Sequence, residues 1–377
     1  MAAQTIPLHS SKYADVRAAL VRQLRKGLWK PGDRIPTEAQ LVQQFGVSRI
    51  TVARAVRDLE AEGLVERRRG AGTFVRSPEA SGQLSFGLLI PELGETEIFE
   101  PICQGMMASP LARHHALLWG SAVSPSDSRA ERAWSLCRQF IERRVSGVFF
   151  APVELSPSRD EVNRRICAAL DAARIPIVLL DRGVAPYPHA DRYDLVGIDN
   201  RRAGYVVTEH LLTLGARRVA FIGPDTGAST VDEREAGYRE ALYTFDAPVD
   251  RRWIRRLPPD DHSAVKDLMD AHQPDAIVCA NDRTAGRLMH ALRRLQHRIP
   301  EDVRLVGIDN ADYAALLPVP LTTLRQPTQQ IGDAALEVML TRVARRALPP
   351  RDTRLHGDLV VRESCGAKLA NSVSPAD

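Results

Sequence analysis

The chain has no apolar run approaching the roughly 20 residues that a membrane-spanning helix needs. Its first residues, MAAQTIPLHSSKYADV, lack the apolar core of a secretory signal. A cytoplasmic protein with no membrane partner is expected. Cysteine is sparse: Cys103, Cys137, Cys167, Cys279 and Cys365 are scattered, odd in number and free of C-x-x-C spacing. They suit buried thiols in a reducing compartment, not a disulfide or zinc framework, so no metal site is expected. After residue 76 lysine is nearly absent, with only Lys266 and Lys368, neither in the setting of a Schiff base. No nucleophile elbow, P-loop or metal triad occurs, and His114-His115 is an isolated pair without E-x-x-H. Catalysis and a cofactor are therefore not expected.

What is present is unevenly distributed. At 377 residues there is room for two or three domains. Residues 1–76 carry fourteen Lys/Arg against seven Asp/Glu, a balance of +7, while the whole chain is +4, which leaves −3 for residues 77–377. A basic head on a mildly acidic body suits a protein that touches phosphate at one end.

Local patterning explains the head. Apolar residues at near-helical spacing (Val16, Leu20, Leu24, Leu28) predict a helix over 13–28, stopped by Pro31-Gly32. Thr37 and Gln40 have capping-box spacing ahead of a short helix, Glu38 to Phe45, and Gly46 fits a left-handed C-terminal cap. Ser48 caps a second helix, Arg49 to Glu62, with Val52, Val56 and Leu59 inward and Ser48, Arg49, Ala53, Arg54 and Arg57 outward or flanking. Leu64–Arg68 alternates like a strand, Arg69–Gly72 can turn, and Thr73–Val75 returns. A helix, a glycine turn and a second helix with a basic face fill a major groove, and an arginine-bearing hairpin can reach phosphates or a minor groove. Double-stranded operator DNA is the expected partner.

Residues 13–76 resemble the winged helix-turn-helix of the GntR family of bacterial regulators. The matching string is PGDRIPTEAQLVQQFGVSRITVARAVRDLEAEGLVERRRGAGTFV. The resemblance implies that Arg49, Thr51 and Ser48 stand at the start of the recognition helix and Glu38 in the helix before it. It places Gly70 and Gly72 at the wing tip, and the expected DNA-binding set is completed by Arg54 and Arg69. Ala53 occupies a place where the family often has arginine, with Arg54 next.

A polar linker, residues 77–83, precedes an alternating α/β pattern. Short apolar strands at 85–90, 116–119, 147–151, 177–180, 219–222, 276–279 and 304–308 alternate with amphipathic stretches, which predicts parallel sheets covered on both faces. Polar pairs follow the strand ends: Asp181-Arg182, Asp199-Asn200, Asn281-Asp282 and Asp309-Asn310. Ligands of open α/β sheets bind outside such ends, although turn chemistry also favours Asp and Asn there.

Residues 84–364 resemble the effector domain of the LacI/GalR family, through VGIDNRRAGYVVTEHLLTLGARRVAFIG, EREAGYREAL, PDAIVCANDRTAGRLMHALR, IPEDVRLVGIDN and PLTTLRQPTQQIGDAALEVML. The resemblance implies a periplasmic-binding-protein-like type I fold. Two Rossmann-like α/β subdomains are joined by three crossovers near Asp181–Gly183, Thr322–Leu324 and Pro349–Pro350, and residues 365–377 form a flexible tail. It also implies an effector cleft formed by Phe99, Arg202, Tyr238, Asn281, Asp309 and Gln326, with Arg202 and the polar side chains bonding the ligand and the aromatics covering it. Tyr238 could equally be core, and Arg202 a surface arginine at a helix start. The family's minor-groove hinge helix has no counterpart in SPEASGQ. The hybrid layout is expected to act as a homodimeric regulator, a repressor, controlled by a small polar effector, first a monosaccharide. The alternative is a receptor-like dimerisation domain that senses no small molecule or binds a protein partner.

Overall fold

The computed structural model describes residues 12–25, 28–29, 32–61, 64–68, 71–75, 83–91, 97–120, 128–225 and 227–367. Arg69 and Gly70, and nearly all of the expected linker and tail, lie outside these. The chain divides into two compact units, Met1–Leu84 and Ser85–Asp377.

In the first unit, α1 (Lys12–Arg25), α2 (Glu38–Phe45) and α3 (Arg49–Ala61) precede a hairpin of β1 (Val65–Arg68) and β2 (Gly72–Val75). Thr37 and Gln40 form the expected capping box on α2, and Gly46 closes it at φ +61°. Val16 and Leu20 of α1, Leu41 of α2, and Val52, Val56 and Leu59 of α3 are buried together with Val65 and Val75. Burying each such side chain removes apolar surface worth about 1.5–3 kcal/mol from water. Leu28 departs from the pattern: α1 ends at Arg25 and Leu28 is exposed. Arg34 pairs with Phe74, so a third short segment lies against the hairpin.

The second unit contains two six-stranded sheets. The first, in spatial order, is β13 (Asp352–Leu355), β7 (Asp194–Ile198), β6 (Ile177–Leu180), β5 (Gly147–Phe150), β3 (Ser85–Leu89) and β4 (Ala116–Trp119), every pair parallel. The second is β14 (Asp358–Val360), β12 (Thr322–Arg325), β11 (Arg304–Asp309), β10 (Ala276–Cys279), β8 (Val219–Gly223) and β9 (Ile254–Arg256), parallel except for β14. The central strands are buried throughout, as continuous Val/Ile/Leu/Phe runs require. Helices α4 (Phe99–Ala108), α5 (Arg129–Glu142), α6 (Arg159–Ala172) and α11 (Thr328–Ala344) pack on the first lobe. Helices α7 (Asn200–Thr213), α8 (Ser229–Thr244), α9 (His262–His272) and α10 (Asp282–Arg294) pack on the second.

The chain passes between the lobes three times, but later than expected each time. The first passage is at Asp199-Asn200, because β7 still belongs to the first sheet and α7 packs on the second lobe. The second is at Gln326-Pro327, between β12 and α11, and the third at His356-Gly357, between β13 and β14. Cys365 is fully buried, and Ser364 bonds Leu305 and Thr322, so the folded body extends past residue 364. All five cysteines are free and buried. Burial pushes the Cys137 thiol up to about 11 and those of Cys103 and Cys167 up to about 12.

Candidate DNA-reading head and ligand cleft

At the start of α3, Ser48 Oγ accepts from Thr51 N at 3.3 Å and lies 2.9 Å from Thr51 Oγ1. The two expected contact residues therefore hold each other and leave Arg49 and Ile50 outermost. Ile50 is 82% exposed. The pattern of inward and basic positions on this helix does not single it out, yet an exposed aliphatic beside Arg49 is suited to a thymine methyl group. Glu38 sits between two cations: Arg67 Nη2 of β1 donates to its Oε1 at 2.5 Å, and Arg49 Nε lies 3.7 Å from its Oε2. Glu38 thus aims arginines from the recognition helix and the wing, while its own charge disfavours phosphate contact. Arg54 lies over the Tyr13 ring at 4.6 Å, and Tyr13 OH donates to Asp58. Gly72 adopts φ +120°, and a Cβ there would lie 2.5 Å from Arg34 Nε, so only glycine fits the start of β2.

In the second unit, polar side chains converge where the carboxyl ends of β5, β6, β7, β10, β11 and β12 meet. Asp309 ends β11 and accepts from Gln326 Nε2 at 2.7 Å. Arg234 of α8, 3% exposed, reaches the same place. Its Nε donates to Asn200 Oδ1 at 2.8 Å, its Nη1 to Ala280 O at 2.6 Å, and its Nη2 lies 3.6 Å from Asp309 Oδ1. Asp282 accepts from Thr323 Oγ1 at 2.6 Å and from Ala311 N at 2.9 Å. From the first lobe, Arg182 Nη1 donates to Asp181 Oδ2 at 3.0 Å and lies 3.4 Å from Glu154, with Nε on Pro152 O at 2.8 Å. Phe99, fully buried, lies beneath Arg182 with the guanidinium 5.5 Å from its ring centre.

Two features make this cluster the candidate site. Asp181 Oδ1 and Gln326 Oε1 are buried and have no hydrogen-bond partner, although native folds rarely leave such atoms unsatisfied. Asp181 and Asp309 also adopt φ +67° and +127° at their strand ends, conformations that cost free energy and concentrate at functional sites. Burial raises the Asp309 carboxyl well above the ordinary carboxylate range; Asp282 and Asp181 add to that, and Arg234 and Gln326 oppose it.

The lobes are tied directly across the cleft. Ala228 N donates to Glu154 Oε2 at 3.2 Å, Arg159 donates to Gly227 O, and Tyr313 OH donates to Glu97 Oε1 at 3.1 Å.

Of the residues expected to hold an effector, Asp309 and Gln326 are together, and Phe99 lies beneath Arg182, which pairs with Asp181. Asn281 lies between Ala280 and Asp282, where its side chain caps α10 by accepting from Thr284 N at 2.8 Å. Arg202 is exposed; its backbone N bonds the Asp199 cap, so it stands as a helix-start surface arginine. Tyr238 is corrected outright: it is fully buried, its hydroxyl donates to Val219 O at 2.7 Å, and it packs on Phe221 at 5.6 Å. It has no surface for a ligand because its position on α8 points into the sheet. Arg234, one turn earlier, was missed; its signal was an arginine on the inward face of EREAGYREAL. Among the described residues no group of three His, Cys, Asp or Glu could hold a metal ion, and no helix is long and apolar enough to cross a membrane.

Comparison with known proteins agrees with both units. Residues 12–75 match the model of bacterial regulatory proteins of the gntR family, and residues 208–365 match a periplasmic binding protein-like domain. The arabinose metabolism transcriptional repressor of Geobacillus stearothermophilus is 26% identical over 376 residues, covering 97% of this chain and 99% of that protein. The HTH-type transcriptional repressor PurR of Vibrio vulnificus is 26% identical over 318 residues, covering 83% and 90%. The structure of a putative ribose operon repressor from Burkholderia thailandensis superposes with a TM-score of 0.60 at 26% identity, covering 73% of this chain and 98% of that one. These relatives are transcription regulators, not enzymes. The chain is accordingly a transcription regulator that joins a GntR-type helix-turn-helix head to a periplasmic-binding-protein-like effector domain.

Proposed function

We propose that this regulator is a repressor whose grip on operator DNA is set by a neutral monosaccharide held in the cleft. The observation that carries the reading is the pair of buried, unpartnered acceptors, Asp181 Oδ1 and Gln326 Oε1. Acceptors without donors call for a ligand rich in hydroxyl groups. The cleft guanidiniums do not call for an anion, since Arg234 and Arg182 are already engaged by Asp309, Asp181, Glu154 and main-chain carbonyls. A sugar fits these demands better than a sugar phosphate or a planar base. The names of the arabinose and ribose repressors among the relatives support the same class. Asp181, Asp309, Gln326, Asn281 and Arg234 are proposed to bond the ligand, with Phe99 supporting the cleft floor beneath Arg182.

In the head, we assign operator contact to Arg49, Thr51, Arg54 and Ile50, with Ser48 and Glu38 positioning them and the wing of Arg69, Gly70 and Gly72 reaching the backbone. The regulator acts as a homodimer, so that two heads read half-sites related by a two-fold axis. Exposed Met107, Leu111 and Trp119 around edge strand β4, with Leu316 on the second lobe, support self-association. The bonds across the cleft give a ligand the means to favour one lobe arrangement, and a coupling of about 1–3 kcal/mol is sufficient for regulation. Calorimetry of the full chain against neutral pentoses and hexoses, their phosphates and purines tests the reading. Binding confined to neutral sugars is expected. Binding of phosphates or purines only would overturn the ligand class, and binding of nothing would favour a body that senses no small molecule or takes a protein partner.

A further inference from the structure

Every strand of the first-lobe sheet is parallel, so all its amino ends lie along one edge. The segments that lead into these ends are rich in arginine. Arg113 precedes β4, Arg143 and Arg144 precede β5, Arg174 precedes β6, Arg192 precedes β7, and Arg346 lies on the segment before β13. All six are exposed. A surface depression between the ends of α6 and α11 is lined by Arg174, Arg192, Arg342 and Arg346, with Asp171 and Asp194 as its acids. Those acids are engaged: Asp171 accepts from Arg192 at 2.7 Å, and Asp194 from Arg342 at 2.7 Å. The remaining arginines form a positive surface on a body whose overall charge is negative.

The corresponding edge of the second lobe serves as an internal control. It is equally rich in arginine but balanced. Arg252 is clamped by Asp250 at 2.7 Å and Arg298 by Asp302 at 2.6 Å, and Asp275 and Glu301 add negative charge on the segments that lead into β10 and β11. The excess is therefore specific to the first lobe. Arg144 and Arg174 also stand at φ +50° and +56°, just past the ends of α5 and α6, where glycine or asparagine would be cheaper. The sixth strand of this edge, β3, begins at Ser85, ten residues after the last residue of the head's hairpin. A chain of that length spans at most about 35 Å, roughly one helical turn of duplex DNA.

We infer that this arginine edge is a second nucleic-acid contact surface that binds backbone phosphates of duplex DNA flanking the site read by the head. The surface is sequence-independent: its guanidiniums present charge and forked donors to phosphate oxygens without entering a groove. It rests on the reading of the head as DNA-binding and adds affinity and salt dependence to it.

The test uses full-length protein, wild type and the triple variant Arg143→Gln/Arg144→Gln/Arg174→Gln, with two labelled duplexes. Both carry the same candidate inverted-repeat site from upstream of the protein's own gene; one is trimmed to that repeat and the other extended by one helical turn on each side. Anisotropy is read across a salt series. On the extended duplex the variant should bind about tenfold more weakly, with a log–log salt slope shallower by about 2 or more, since each lost phosphate contact removes about 0.9. On the trimmed duplex the two proteins should match. Unchanged melting temperature and sugar binding would establish that the variant is folded. Equal affinity and slope on both duplexes would overturn this surface alone, and would leave the arginines to an acidic protein or to solvent. Wild-type protein that bound neither duplex would overturn the head reading and this surface together.

Discussion

Gln326 donates to Asp309 at 2.7 Å, which joins the second passage between the lobes to the end of β11. One side chain lies where the chain leaves the second lobe and the other on a strand fixed within it. A ligand that accepts from or donates to this pair therefore touches a hinge and a wall at once.

Gln326→Leu keeps the volume but removes both polar functions. Effector affinity should fall about 10- to 100-fold, the usual cost of a lost hydrogen bond plus an acceptor left with a poorer partner set. Operator affinity without effector should be unchanged. Calorimetry and anisotropy together separate the two.

Asp309→Asn should stabilise the protein while weakening its response. The folded-state pKa of Asp309 is raised, chiefly by burial, so its contribution is fully present below the unfolded value of about 4 and is lost as pH rises through the folded pKa. At neutral pH the wild-type carboxyl therefore costs stability. Asparagine removes that cost and still accepts from Gln326. A melting temperature higher by a few degrees at pH 7.5, with a flatter profile above pH 4, is the expected result, of the size that about 1 kcal/mol produces. A variant that melted lower at pH 7.5 would contradict it.

Glu38→Ala frees Arg49 and Arg67 from their shared carboxylate. Loss of aim should reduce discrimination more than attraction. Operator affinity should fall about tenfold, the size of one misplaced base contact, while affinity for a scrambled duplex holds or rises. Parallel anisotropy titrations show whether specificity or general affinity changes.

Tyr238→Phe removes only the bond to Val219 O. A loss of about 1 kcal/mol in stability by denaturant titration is expected, with effector affinity intact. A weakened effector response at unchanged stability would return Tyr238 to the cleft.

Much of this architecture was legible in the residues. The capping box at Thr37 and Gln40, the Gly46 cap and the apolar runs of β4, β6 and β10 each have a local cause, and each element lies where that cause puts it. The polar pairs at the ends of β6, β10 and β11 pointed to Asp181, Asn281 and Asp309. What escaped depends on partners distant in sequence. β13, read DTRL, and β9, read IRR, are too polar to announce themselves and exist because β7 and β8 offer them an edge. The lobe passages implied by the family resemblance fall earlier than the observed ones, and nothing local to β7, β12 or β13 shows which sheet each strand joins. Arg234 and Tyr238 lie one helical turn apart, and only the packing of α8 decides that the arginine meets Asp309 and the tyrosine meets Phe221.

The most direct test of the account is a titration of the full-length protein on its labelled operator with the neutral sugar found by calorimetry. Saturating sugar should change operator affinity by about 5- to 150-fold, and the midpoint should move to higher sugar in Gln326→Leu. Operator affinity that stayed constant from zero to saturating sugar, in a protein shown by calorimetry to have bound it, would contradict the coupling on which the account rests.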